Sequence, residues 1–252
     1  MAGDELVPAG SVVTAAVLGL AAAAGHDGLV VHPPPRVLAL VTGDELLADG
    51  LPRDGRVRDA LGPQLARLVA AHGGELVGQQ HLPDDAAVLR AAVVAADADL
   101  VLTTGASSAG PADHLRGVLD DLGARLLVDG VACRPGHPQL LARLPDGRVV
   151  VGLPGNPLAA LVAAVTVLAP ALAGLGGRPL HAPRTALLTA AVRAAPADTR
   201  LVPVRLDGLR AEPTSHTGSG MLRGAALADA LAVVPAGPSL AAGDEVEVLD
   251  LP

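Results

Sequence analysis

Several short loops in this chain carry residues able to hold an anion or a hard metal ion. Asp99–Asp113, DLVLTTGASSAGPAD, opens with an apolar run, Leu100–Leu102, and turns through Thr103, Thr104, Gly105, Ala106, Ser107, Ser108, Ala109 and Gly110 before ending on a carboxylate. Small hydroxyl residues among glycines let backbone N–H groups approach an anion. An acid just beyond could hold a metal that bridges to the same anion. The same pattern also suits an ordinary strand-to-helix turn. Thr42-Gly43-Asp44-Glu45 places two carboxylates in one turn, suited to Mg²⁺ together with Asp113 or equally to a solvated acidic turn. Arg134-Pro135-Gly136-His137-Pro138 is a rigid, partly cationic turn able to receive a phosphate or another oxyanion, or a plain hairpin connection. Leu153-Pro154-Gly155-Asn156-Pro157 starts a helix with an anion-friendly N-terminus and Asn156 as its cap.

The elements that position these loops follow from periodicity. Residues 1–36 read as a connecting segment: an Ala/Leu helix capped by Ser11 or Thr14 and ended by Gly25, a possible strand at Leu29–Val31, then Pro33-Pro34-Pro35 as a stiff boundary. From residue 37 to 181, strands at Val37–Val41, Leu76–Gly78, Leu100–Leu102, Arg125–Val128 and Arg148–Val151 alternate with helices. The helices lie near Pro63–His72, after Asp84 or Asp85, over Leu115–Leu122 and from Asn156 onward. Such alternation means βαβ units and a largely parallel sheet, an α/β fold with helices in layers on both faces. Ligands of such sheets sit at strand carboxyl ends. Thr42–Glu45, Thr104–Gly110 and Gly152–Pro157 all leave carboxyl ends, so one sheet edge gathers them. Residues 182–252 lose the helical period and break into short apolar segments between Pro, Gly and Asp turns, expected to form a small all-β domain.

Composition narrows the partners. Half of the 252 residues are hydrophobic, so a sizeable core can be buried. With no aromatic residue there is no stacking platform for bases, and a net charge of −8 argues against nucleic acid. A single cysteine excludes a disulfide framework and fits a cytoplasmic setting. Leu158–Gly177 carries no charge, but its Ala and Gly content and Pro170 make it a buried core helix rather than a membrane span.

In their order along the chain, Thr42-Gly43-Asp44-Glu45-Leu46, Pro83-Asp84-Asp85, Thr104–Asp113, Arg134–Pro138 and Gly152–Pro157 together resemble the MoeA family, the molybdopterin molybdenumtransferases that include the gephyrin E domain. Thr217-Gly218-Ser219-Gly220-Met221 and Gly243-Asp244-Glu245-Val246 are similar to that family's C-terminal β domain. The resemblance implies a three-layer molybdopterin-binding domain of the MogA/MoaB type followed by that β domain. It implies insertion of molybdate into adenylylated molybdopterin with release of AMP, aided by Mg²⁺. By position, Glu45, Asp85 and Asp113 would be the catalytic acids, with Glu45 and Asp113 on the metal. Thr42, Gly43, Asp44, Gly105, Ser107, Ser108, Arg134, His137, Pro154, Gly155, Asn156 and Ser219 would bind substrate. Arg134 and His137 stand where the family usually has lysines, Ala106 replaces a glycine, and Asp59 is followed by Ala60-Leu61 instead of Ser-Asn. The family's N-terminal domains are represented only by about Gly3–Arg36, so a homodimer or a partner chain supplying the rest is expected. Two alternatives are a non-catalytic molybdopterin-binding protein and a MogA/MoaB-like adenylyltransferase.

Overall fold

The computed structural model describes residues 3–105, 114–180, 182–215 and 218–252. The first helix, α1 (Ala15–Ala23), is capped by Thr14, whose Oγ1 accepts from the Val17 N–H at 3.3 Å. Residues 29–31 form no strand and lie exposed, so the expectation there is corrected: no neighbouring strand pairs with them.

The chain then enters a layered unit at β1 (Arg36–Thr42) and passes a small ladder of β2 (Leu46–Leu47) with β3 (Val57–Arg58). It continues through α2 (Gly62–Ala71), β4 (Glu75–Leu82), α3 (Ala86–Ala95), β5 (Leu100–Thr104), α4 (Leu115–Asp121) and β6 (Arg125–Asp129). The short β7 (Cys133–Arg134), β8 (Leu140–Arg143) and β9 (Val149–Leu153) follow. A continuous helical stretch closes the unit: α5 (Pro157–Ala163), a π-helical turn (Ala164–Leu168) and α6 (Ala169–Leu175).

The first sheet has the order β4-β1-β5-β9-β8-β6. Its four leading strands are parallel, as expected; β8 runs against both neighbours. The alternation of strand and helix gave no sign of β8, because a short hairpin, not a helix, joins it to β9. β5 and β9 are buried along their whole length and β1 over most of it, and helices cover both faces. Leu65, Leu68 and Val69 of α2 pack with Leu168 and Leu172 on one face, and Leu89, Val93, Leu115 and Leu119 pack on the other. Edge strand β4 is mostly exposed, which is why its apolar signal stopped at Gly78 although the strand runs to Leu82. The stretch Pro157–Leu175 is long and apolar enough to cross a membrane, but 61% of it is buried in this core.

The remaining strands are β10 (Arg184–Leu188), β11 (Thr199–Asp207), β12 (Arg210–Pro213), β13 (Ala230–Val234) and β14 (Glu245–Asp250). Their order is β12-β10-β14-β13-β11, and β12 also pairs with β11, so the sheet closes into a barrel with an Ala/Val core. Leu227 sits outside β13 in a single 3₁₀ turn and is exposed. β7 extends the barrel sheet by pairing in parallel with the start of β11, Thr199 opposite Cys133 and Arg200 opposite Arg134.

One buried carboxylate holds the entry to α2. Asp59 Oδ1 accepts from the N–H groups of Leu61 and Gly62, both at 2.9 Å, and Oδ2 lies 3.0 Å from His81 Nε2 at the end of β4. Burial raises the Asp59 carboxyl, but the bonds from Gly62, His81 and Leu61 outweigh it and hold it below its ordinary 3.8. A depressed carboxyl stabilises the fold above its unfolded pKa, and the contribution is lost as pH falls through the folded value. Asp59→Ala should therefore cost about 1–2 kcal/mol near pH 7. In urea titrations the gap from the parent chain should close as pH drops below the unfolded value; a constant gap would exclude this role.

Candidate functional site

The parallel register of β1, β5 and β9 aligns Val41, Thr104 and Leu153 at the carboxyl edge. The loops beyond them touch. Thr42 is buried, and its Oγ1 donates to the Thr104 carbonyl at 2.8 Å. The Gly105 N–H donates to the Leu153 carbonyl at 3.3 Å, and a Cβ on Gly155 would lie 3.5 Å from Gly105 Cα. Gly105 has φ +84°, and a Cβ there would come within 2.6 Å of the Thr42 carbonyl oxygen. Only glycine fits that crossing of loops. Ala106, Ser107, Ser108 and Asp113, with Thr217, lie outside the described residues.

At the β1 end the charges are acidic. The Asp44 N–H donates to Asp84 Oδ2 at 3.2 Å, and the Asp84 N–H to Asp44 Oδ1 at 3.4 Å, so the two loops clasp each other. Glu45 is exposed and its carboxylate lies over Gly43, where a Cβ would sit 2.8 Å from Oε2. The Glu45 carbonyl accepts from Val57, which fixes this turn from the β2–β3 side. Asp85 Oδ1 caps α3, accepting from Ala87 at 2.7 Å and Val88 at 3.0 Å. Among the described residues no three His, Cys, Asp or Glu side chains form a metal cluster.

At the β9 end the charges are basic. A cavity of about 520 Å³ lies between the layered unit and the barrel, lined by Arg134, His137, Pro154, Asn156, Ser219 and, from β11 and its approach, Asp198 and Arg200. The structure thus brings together five of the residues that sequence alone marked for substrate binding. Cys133 and Gln139 support the turn between Arg134 and His137. Gln139, fully buried, donates through Nε2 to Cys133 Sγ at 3.2 Å, and its Oε1 accepts from Thr166 Oγ1 at 2.6 Å. Thr166 belongs to the π-helical turn, a feature frequent beside functional sites. Burial pushes the Cys133 thiol up, so it is a packing group. His137 Nδ1 lies 2.9 Å from the Val131 carbonyl. A carbonyl only accepts, which places the proton on Nδ1 and leaves Nε2 for a ligand.

Asn156 departs from expectation. It occupies the cap position of α5, but its side chain makes no capping bond; the N–H groups of Leu158 and Ala159 donate instead to the Ser219 carbonyl at 2.9 and 3.3 Å. The barrel loop thus satisfies helix donors that sequence alone offered to an anion. Asp198 and Arg200 carried no local signal: Ala197-Asp198-Thr199-Arg200 reads as a turn running into a strand, and only the β7–β11 pairing brings it to the cavity.

Both halves of this architecture match known families. Residues 38–174 match a probable molybdopterin binding domain, and residues 185–251 match the MoeA C-terminal region, domain IV. The chain belongs to the MoeA family. It is 35% identical to molybdopterin molybdenumtransferase 2 of Mycobacterium tuberculosis, an alignment covering 99% of this chain and 65% of the relative. A molybdopterin molybdenumtransferase of Nostoc sp. is 34% identical over 70% of the chain and 42% of the relative. The molybdopterin biosynthesis MoeA protein of Pyrococcus horikoshii superimposes with a TM-score of 0.78 at 28% identity, covering 97% of this chain and 61% of that one. The chain therefore spans less than two thirds of the length of these relatives.

The loop crossing generates a stability test. Gly105→Ala should cost about 1–3 kcal/mol from its positive φ, with the Thr42 contact adding to it. Gly147→Ala, also at positive φ (+94°) but with nothing within 4 Å, should show the backbone cost alone. Urea unfolding of both variants checks this; equal losses would remove the loop contact from the account.

Proposed function

We propose that this chain acts in molybdenum cofactor biosynthesis, inserting molybdate into adenylylated molybdopterin with release of AMP. The carrying observation is the cavity in which Arg134 and Arg200 face one space with His137 and Asn156, between two units that each match a MoeA-family region. Guanidinium groups recognise tetrahedral oxyanions through paired N–H donors, and a half-enclosed site strengthens those bonds. Arg134 and Arg200 bind and orient molybdate through their N–H donors, and His137 Nε2 accepts from a donor group of the pterin. Pro154, Gly155, Gly105 and Thr42 form the floor over which the pterin phosphate lies, and Ser107 and Ser108 would bind the same phosphate by the family resemblance. Water cleaves the phosphoanhydride, its oxygen ending on one of the two phosphates so that AMP and the pterin monophosphate separate, as the pterin takes up molybdate.

The acidic end suits a divalent cation by its chemistry, since the carboxylates beside Gly43 are hard oxygen donors. Glu45, with Asp113, would hold Mg²⁺, which neutralises phosphate charge when bound. Asp44 and Asp84 brace that turn, and Asp85 anchors the neighbouring helix. The match to the MoeA C-terminal region favours this reading over an adenylyltransferase, which would consume ATP and release pyrophosphate.

The reading extends to assembly and setting. α1 is apolar all round, yet only Ala21 is buried, and Leu18, Leu20, Val30 and Val31 are exposed. An all-apolar helix is ordinarily a buried one, which supports coverage by a second copy or a partner chain in the cytoplasm. Light scattering should give twice the chain's mass for a homodimer; a monomer that gains mass only on adding a partner favours the second arrangement.

Adding molybdate and Mg²⁺ to the chain loaded with adenylylated molybdopterin should release AMP; binding without release would establish a non-catalytic carrier. Arg134→Ala should weaken molybdate binding about 10- to 100-fold in calorimetry, the worth of a charge-assisted bond. Glu45→Gln should leave molybdate affinity unchanged while AMP release falls about a hundredfold or more. Equal effects of both variants on binding would sink the division into two ends.

A further inference from the structure

We propose that Asp198, on the barrel side of the cavity, is the positioning residue that sets the Arg134 guanidinium for oxyanion binding. The inference rests on the reading of this cavity as the molybdate site. Asp198 is the only carboxylate among the described residues lining a space that otherwise holds Arg134, Arg200 and His137. An acid there lowers the attraction for an anion, so its presence calls for a compensating role. Its geometry supplies one. Asp198 Oδ2 accepts from Arg134 Nε at 2.5 Å. Nε is the donor nearest the side-chain stem, so the contact fixes the plane of the guanidinium and leaves the outer Nη donors for a ligand.

The two partners differ in freedom. The Arg134 side chain is 73% exposed, a long group that would otherwise lose many rotamers on binding an anion. The Asp198 side chain is 21% exposed and adjoins Thr199, whose N–H donates to the Ala132 carbonyl in the β7–β11 seam. A fixed acid thus orders a mobile cation beforehand, and ordering before binding raises affinity. Arg200 is ordered separately, its Nη1 donating to the Arg193 carbonyl. A purely structural tie is the weaker explanation. The seam is already held by backbone pairing and by Cys133, Val162, Leu201 and Leu231, and a half-exposed ion pair adds little to stability.

Calorimetry with sodium molybdate on the full chain tests this. Asp198→Ala should weaken molybdate binding by about tenfold despite making the cavity more positive. Asp198→Asn, which keeps shape and an acceptor, should fall between, and Asp198→Glu should recover most of the affinity. In an Arg134→Ala background the Asp198→Ala change should have no further effect. Tighter or unchanged binding in Asp198→Asn, or losses that simply add in the double variant, would overturn the positioning role while leaving the molybdate site standing. Absence of molybdate binding by the parent chain would overturn the site itself. Urea midpoints of all variants within a narrow range are expected; should Asp198→Ala not fold, the Asp198→Asn and Asp198→Glu comparison decides.

Discussion

Two residues of backbone pairing hold the functional face together. Cys133 and Arg134 join the barrel sheet through β11, while a few residues later the chain returns to the first sheet as β8. The turn from Arg134 to Pro138 is thus tied to both bodies. Its inner side rests on α5, where a Cβ on Gly136, at φ +109°, would meet Val162 at 3.1 Å and the Ala159 carbonyl at 3.3 Å. Remove the pairing and the cavity loses one wall, its cationic turn and the acid that orders it.

The same economy of contacts explains how polar residues survive near an aliphatic core. The described core is built from Ala, Val and Leu, whose small side chains let helices and strands approach closely. Among the described residues buried polar side chains are then few; Thr42, Gln139 and Asp59 are paired, whereas His72 Nε2 is buried without a partner. Thr42 bridges to the β5 loop, Gln139 links the cationic turn to the π-helical segment, and Asp59 anchors α2 against β4. An unpaired group at any of these places would cost more than its bond gains.

Charge is separated along the edge. Asp44, Glu45, Asp84 and Asp85 cluster at the ends of β1 and β4, and Arg134, His137 and Arg200 beyond β9. The strand order β4-β1-β5-β9 places the carboxyl end of β5 between them. An anionic ligand bearing its own cation would span this gradient with each end neutralised. The α/β half supplies the acidic end, whereas the cationic end is completed only by the barrel. The two bodies therefore share the lining of one cavity.

The strand–helix alternation was legible in sequence, and the caps were narrowed to Ser11 or Thr14 and to Asp84 or Asp85, of which the structure uses Thr14 and Asp85, because both signals follow from local backbone chemistry. So was the convergence of Thr42, Gly105 and Gly155, since parallel strands must share a carboxyl edge. Asp198, Arg200, Gln139 and the Ser219 carbonyl were not. Their roles arise from pairing between segments more than 60 residues apart or from burial behind a turn, and no local pattern encodes either. Sequence by itself determined which loops could meet an anion or a metal. The tertiary structure decided which of their donors remain available, because a helix N-terminus is spent once a neighbouring carbonyl reaches it and a guanidinium gains direction only when a distant carboxylate holds it.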